Sequence, residues 1–102
     1  MQETVIEMVK NSEADLIFCG HTHIPCGYSL ENNKTVVNVG SVGRPLTQDK
    51  RACYVQLTVD RNSKFFVEHR LISYDNYTAS KEILARKLKH GEDLAKMVFD
   101  EK

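Results

Sequence analysis

The sequence predicts a mixed α/β domain whose order is a helix, a strand, a run of antiparallel strands and then helices again. Three observations support this prediction. A short amphipathic segment leads directly into the apolar run "LIFC", which is how an αβ unit begins. Two later segments, "ACYVQLTV" and "KFFVEHRLI", alternate in the manner of half-buried strands. The segment that follows them has the apolar spacing of a helix.

The first two elements lie in the N-terminal twenty residues. The segment "ETVIEMVKN" predicts a short helix that ends near Asn11, with one apolar side formed by Val5, Ile6, Met8 and Val9. The run "LIFC" contains no polar alternation, so it predicts a strand that is buried on both faces and ends at Gly20.

Two antiparallel hairpins are predicted next. In the first, "GYSLE" and "TVVNV" are joined by a turn at Asn32, Asn33 and Lys34. In the second, "ACYVQLTV" and "KFFVEHRLI" are joined by "DRNS". Between the hairpins, "GSVGRPLTQDK" has two glycines, a proline and no periodicity, which predicts a loop long enough to have a function.

Two helices complete the prediction. The segment "YDNYTASKEILARKLKH" predicts a helix capped near Asn76 or Thr78, with an apolar stripe at Ile83, Leu84 and Leu88. Gly91 is expected to break this helix, and "EDLAKMVF" predicts a final short one. No linker or repeat divides the chain, so residues 1–102 are expected to form a single domain.

Composition excludes several classes of protein. Fourteen basic and fourteen acidic residues cancel, and no basic stripe is present, which argues against a nucleic-acid partner. No apolar stretch is long enough for a membrane span, and no signal peptide is evident. Three cysteines without framework spacing favour a reducing compartment, so we expect a cytoplasmic protein.

The motif "CGHTHIPC" is the strongest chemical feature of the sequence. Alternate residues of an extended loop can point the same way, so His21 and His23 can converge on metal at the end of a strand. The same motif is also compatible with a small structural zinc site at Cys19, His21, His23 and Cys26. A third interpretation is that both histidines only cap the strand.

The segments "LIFCGHTHIP", "VVNVGSVGRP" and "RACYVQL" together resemble the C-terminal half of calcineurin-like metallophosphoesterases, with the small bacterial and archaeal phosphoesterases as the nearest type. This resemblance implies part of a two-sheet β-sandwich flanked by helices, mostly antiparallel in this half. It also implies hydrolysis of phosphomonoesters or phosphodiesters by a hydroxide that bridges two divalent ions, which could be Mn²⁺, Zn²⁺, Fe²⁺ or Ni²⁺.

By the same resemblance, His21 and His23 each ligate one metal. A neighbouring loop would contact substrate or ordered water, and its residues are Asn38, Gly40, Ser41, Gly43 and Arg44. The alternative is that this loop is purely a structural crossover between strands. The family's earlier Asp and His motifs do not occur in this sequence. We therefore expect the C-terminal portion of a metallophosphoesterase domain that is inactive alone and has no catalytic residue of its own.

The missing motifs raise an alternative of a different class. Half a sandwich leaves apolar surface uncovered, so the chain could be a non-catalytic binding module that self-associates. The expected partners are therefore a phosphate-ester substrate and either the missing N-terminal half or a second copy of the chain.

Overall fold

The structure is a computed structural model, and it describes residues 7–99 with the exception of the Asn32 side chain. The five strands are β1 (Leu16–Cys19), β2 (Cys26–Ser29), β3 (Thr35–Asn38), β4 (Ala52–Val59) and β5 (Phe65–Ile72). The helices are α1 (Asn76–Ala85) and α2 (Gly91–Val98), and a short 3₁₀ turn spans Glu31–Asn33. Residues 7–9 are helical, as predicted, whereas Val5 and Ile6 lie outside the described residues.

The first sheet has the strand order β1-β3-β2, with β3 in the centre. The hairpin of β2 and β3 is antiparallel, as predicted, and the N–H of Leu30 donates to the carbonyl of Lys34 at 2.7 Å across its turn. β1 pairs with β3 in parallel, so that Leu16 lies opposite Thr35 and Cys19 opposite Asn38. The chain therefore leaves β1, forms a loop and β2, and returns through β3 between them.

The prediction that "LIFC" is buried on both faces is wrong. Phe18 is 42% exposed and Cys19 is also exposed, whereas Val36 and Val37 of the central strand are buried. Within residues 7–99, β1 pairs with β3 alone and forms one edge of the sheet. An apolar run thus marks a strand, but the neighbours that cover it decide its burial.

The second sheet is the predicted hairpin of β4 and β5, paired antiparallel from Ala52↔Ile72 to Val59↔Phe65. The carboxylate of Asp60 accepts the N–H groups of Asn62 and Lys64 at 2.8 and 2.9 Å, which closes the turn. The hairpin is attached to the rest of the chain at its base, where the N–H of Cys53 donates to the carbonyl of Ser41 at 3.0 Å.

The helices begin and end at residues other than those predicted. Asp75 caps α1, because its carboxylate accepts the N–H of Thr78 at 3.1 Å; the sequence suggested Asn76 or Thr78 as the cap. Since α1 ends at Ala85, Leu88 lies beyond its apolar stripe. Gly91 is the first residue of α2 and does not itself break α1. The helices pack together, and Ser80 Oγ donates to the carbonyl of Ala95 at 3.1 Å.

The molecule is elongated for its length. Its radius of gyration is 16.8 Å, whereas a compact domain of about 100 residues has roughly 13 Å. Large apolar side chains lie exposed along the hairpin, among them Phe66, which is 67% exposed. Much of the apolar surface that the sheets present is therefore uncovered. Among the described residues, neither helix has the length and apolarity needed to span a membrane.

Candidate metal-binding site

The loop between β1 and β2 presents two histidines in an unusual backbone conformation. We call residues 20–24 the histidine loop. His21 has a φ of 83° and His23 a φ of 64°, so both lie in the region that residues with a Cβ rarely adopt. Each such residue costs on the order of 1–3 kcal/mol, and such residues are concentrated at functional sites. The surrounding contacts must therefore hold this loop.

The imidazole of His23 is fixed by the backbone of a second loop. Its Nδ1–H donates to the carbonyl oxygen of Arg44 at 2.9 Å. Because a carbonyl can only accept, this contact places the hydrogen of neutral His23 on Nδ1 and leaves the lone pair on Nε2. Metal-ligating histidines have this arrangement, with one ring nitrogen bonded to a carbonyl and the other facing the metal. The side chain of His21 is exposed.

Asn38, the last residue of β3, lies beneath the histidine loop and is 5% exposed. Its Nδ2 donates to the carbonyl of Gly20 at 3.1 Å and to Thr22 Oγ1 at 3.0 Å. Its Oδ1 accepts the N–H of Gly40 at 3.0 Å. The side chain therefore connects the histidine loop to the loop that follows β3, and both amide hydrogens have protein acceptors.

The loop after β3, which we call the glycine loop, comprises residues 39–51. Gly40 has a φ of +77°, and a Cβ at this position would lie 3.0 Å from Cys53 Sγ. Only glycine fits this close approach to β4. Gly43 has no neighbour within 4 Å of a Cβ and no positive φ, so neither contacts nor conformation require glycine there.

Ser41 and Arg44 close a tight turn within the glycine loop. The N–H of Arg44 donates to Ser41 Oγ at 2.8 Å, and Arg44 Nε contacts Met97 Sδ of α2 at 2.9 Å. This turn presents the carbonyl of Arg44 to His23. Two sets of hydrogen bonds thus connect the histidine loop to the glycine loop: one runs from His23 through Arg44 to Ser41, and the other is centred on Asn38.

The four-ligand zinc alternative is not assembled in the structure. Cys19 and Cys26 lie opposite Asn38 on its two sides, so a whole strand separates them. Neighbouring strands are about 4.8 Å apart, which places the two backbones roughly 10 Å from each other. Burial, and to a lesser degree the nearby Cys26, raises the pKa of Cys19. Across residues 7–99, no three His, Cys, Asp or Glu side chains are grouped to hold a metal ion.

Two residues of this network were missed by sequence reasoning. Thr22 Oγ1 accepts both Asn38 Nδ2 and the N–H of Ile24, the latter at 3.3 Å, and only its place between the histidines could have drawn attention to it. His69 of β5 donates from Nε2 to the carbonyl of Asn38 at 2.7 Å. The alternating pattern of β5 in the sequence gives no indication of this contact.

A protein family and two solved structures are similar to this chain. The sequence profile of the calcineurin-like phosphoesterase superfamily domain matches residues 2–62, which is more than half of the chain. A metallophosphoesterase from Sphaerobacter thermophilus is similar in structure, with a TM-score of 0.65, 20% sequence identity and coverage of 84% of this chain and 41% of its own. A conserved uncharacterized protein from Streptococcus pneumoniae TIGR4, described as a predicted phosphoesterase, has a TM-score of 0.56, 24% identity and coverage of 72% and 42%. No curated protein matches.

These structures confirm the helix-flanked, two-sheet fold that the sequence motifs implied, and the chain spans about two fifths of the length of either one. The profile match covers β1, the histidine loop, the first sheet and the glycine loop. The chain therefore belongs to the calcineurin-like phosphoesterase superfamily.

Proposed function

We propose that the intact protein is a metal-dependent hydrolase of phosphomonoesters or phosphodiesters, and that this chain supplies His21 and His23 as metal ligands. The observation that carries the proposal is the contact of His23 Nδ1–H with the carbonyl of Arg44, at 2.9 Å. It holds the ring in one tautomer with Nε2 available, which is the state in which a neutral imidazole binds a metal.

The donor set suits transition metals. Imidazole nitrogen is a ligand of Mn²⁺, Zn²⁺, Fe²⁺ and Ni²⁺, and membership of the superfamily makes a pair of divalent ions the proposed cofactor. When bound, such ions hold phosphate oxygens and lower the pKa of a water nucleophile. The chain's own part is to aim two imidazoles at one region from the end of β1.

The glycine loop is the proposed contact for substrate. Ser41 Oγ already accepts the N–H of Arg44, so its own hydrogen can be donated to a phosphate oxygen. The exposed guanidinium of Arg44 offers further donors of the geometry that phosphate prefers. Gly40 allows the close backbone approach of the loop that carries these two residues.

We also propose that the other metal ligands come from polypeptide outside these residues. Two histidines cannot hold two ions tightly, and no third candidate ligand joins them within the described part of the chain. The chain alone is therefore expected to bind metal weakly and to lack turnover. Its three free cysteines favour a reducing compartment, and we propose the cytoplasm as the place of action.

The first experiment is a titration of the ¹⁵N-labelled full chain with Mn²⁺, followed through the imidazole signals by NMR. The chain has four histidines, which makes every ring assignable. Unpaired electrons broaden nearby nuclei, so the signals of His21 and His23 should disappear first. His90, at the N-cap of α2, is the internal control. His21→Ala should weaken the effect on His23, because one of two ligands is lost.

Hydrolysis of an aryl phosphodiester and an aryl phosphomonoester with Mn²⁺ completes the experiment. We expect no turnover above that of His21→Ala. Uniform broadening of all four rings, or none at millimolar Mn²⁺, would contradict the metal assignment. Turnover that His21→Ala abolishes would instead overturn the proposal that this chain lacks the remaining ligands.

A further inference from the structure

We propose that Asn38 is a positioning residue for the metal site: its buried carboxamide holds the histidine loop in the conformation that lets His21 and His23 act together. The inference rests on the proposed function in so far as the histidine loop binds metal. It assigns Asn38 no contact with metal or substrate, because its polar atoms are engaged within the protein.

The polar atoms of the Asn38 side chain are all hydrogen-bonded within the protein. A carboxamide has two N–H donors, and these meet the carbonyl of Gly20 at 3.1 Å and Thr22 Oγ1 at 3.0 Å. The Oδ1 atom accepts the N–H of Gly40. A side chain that is 5% exposed and bonded through both ends is not available to a phosphate. Its partners instead lie on the two loops of the site.

Asn38 lies on the central strand of the first sheet. It pairs with Cys19 on one side and with Cys26 on the other, so it lies between the strand from which the histidine loop departs and the strand that it enters. The carbonyl of Asn38 is itself held by His69 Nε2 at 2.7 Å, from the second sheet. Asn38 is therefore held by β1, β2 and β5, in addition to its contacts with the histidine loop.

The histidine loop needs contacts that hold its backbone in place. His21 and His23 both have positive φ, a conformation that an unsupported chain would leave. Thr22 lies between them, and its hydroxyl accepts both Asn38 Nδ2 and the N–H of Ile24. Asn38 thus holds the loop before the first histidine, through Gly20, and between the two histidines, through Thr22. Without these two contacts the imidazoles would sample separate orientations.

The experiment compares variants of the full chain by NMR, first without metal and then with Mn²⁺. Asn38→Leu removes all three hydrogen bonds at similar volume. Thr22→Val removes one of them, and Thr22→Ser keeps the hydroxyl. Asn76→Leu is the matched control, since Asn76 Nδ2 donates to the carbonyl of Val98 at 3.1 Å, away from the site. The metal-free readout is the pair of ring ¹⁵N shifts of His23, which report whether its hydrogen stays on Nδ1.

We expect Asn38→Leu to mix the tautomers of His23 and to weaken Mn²⁺ binding about tenfold, the effect of losing an outer-shell partner. Thr22→Val should show a smaller change in the same direction. Thr22→Ser should match the wild type in both the His23 ring shifts and the Mn²⁺ affinity. Asn76→Leu should lower only the melting temperature. Should Asn38→Leu fail to fold, the comparison of Thr22→Val with Thr22→Ser decides the question.

Unchanged ring shifts in both Asn38→Leu and Thr22→Val would overturn the inference, even if the wild-type chain binds Mn²⁺ through its histidines. A second outcome would separate this inference from the proposed function. Altered shifts in these variants, in a chain whose histidines bind no metal, would support the positioning role of Asn38 and reject the proposed function.

Discussion

Gly40 lies where the glycine loop presses against the first residues of β4. A methyl group at this position would be 3.0 Å from Cys53 Sγ and 3.4 Å from Pro25 Cβ, and the φ of +77° disfavours any residue with a Cβ. We therefore expect Gly40→Ala to lower the free energy of unfolding by at least about 1–2 kcal/mol. Urea denaturation followed by circular dichroism measures this loss.

Gly43 provides the matched control for that substitution. It lies in the same loop, but a Cβ there meets nothing within 4 Å and its φ is not positive. Gly43→Ala should therefore leave stability unchanged or raise it by about 0.4–1 kcal/mol, since alanine restricts the unfolded chain. Equal losses in both variants would show that the close approach of Gly40 to Cys53 does not determine stability.

At the scale of single residues, the sequence identified the histidines and the glycine loop but not the contacts between them. The His-x-His spacing after an apolar run was enough to place His21 and His23 in a loop at the end of β1. The partner of His23 is a backbone carbonyl 21 residues away, at Arg44. Every residue has such a carbonyl, so no residue type reveals which one is used.

At the scale of elements, the capping of α1 gives the clearest prediction. Asp75 accepts the Thr78 hydroxyl at 2.7 Å as well as its N–H, and these bonds, the hydroxyl first, hold the pKa of Asp75 below its ordinary range. A carboxyl whose pKa is lowered by folding stabilises the folded state above its unfolded pKa of about 3.9. That stabilisation is lost as the pH falls through the folded pKa.

We therefore expect Asp75→Ala to lower the melting temperature at neutral pH, and the difference from wild type to shrink as the pH falls below the unfolded pKa of about 3.9 and Asp75 becomes protonated. Asp75→Asn keeps a neutral capping oxygen and should fall between the two, with no change across this range due to residue 75. Thermal melts monitored at 222 nm give the comparison. A constant gap between wild type and Asp75→Ala at every pH would show that the charge of the cap contributes nothing.

The strands were predicted with more success than the limits of the helices. Both hairpins follow from alternation and from turn residues, and each forms with the expected pairing. The burial of β1 did not follow, because burial depends on neighbours that "LIFC" does not encode. The choice of Asp75 over Asn76 as the cap was equally hidden, since both residue types cap helices well.

At the scale of the whole molecule, the uncovered apolar surface is the dominant feature. A cavity of about 320 Å³ opens between the edge of the first sheet and the second hairpin, and its lining includes Phe18, Val55 and Leu57. Val59 and Leu71 are exposed on the same face of the hairpin as Leu57, and they extend this surface. Surfaces of this kind bind other protein segments in water, which supports the self-associating alternative for the chain in isolation.

We expect the full chain to self-associate at micromolar concentration, because this buries apolar area at a gain of about 25 cal/mol per Å². Sedimentation equilibrium should give a mean mass above the 11.7 kDa of one chain that rises with concentration. Leu57→Glu should reduce association, since it places a charge in the cavity. Asn62→Glu adds the same charge in the exposed turn of the hairpin, away from this apolar face, and serves as the control. A compact monomer throughout this range would reject the alternative.

The pairing of β3 has a consequence for how the chain tolerates changes in length. Side chains alternate along a strand, so inserting or deleting a single residue before Asn38 within β3 would turn its carboxamide to the other face of the sheet. Val37 or Val39 would then lie under the histidine loop, with no polar group to offer. The 3₁₀ turn at Glu31–Asn33 lies outside the ladder and can absorb an extra residue as a bulge. The orientation of the histidines therefore depends on the length of β3, although the hydrogen bond of the His23 ring goes to Arg44 in another segment. A single-residue insertion within β3 would change that length.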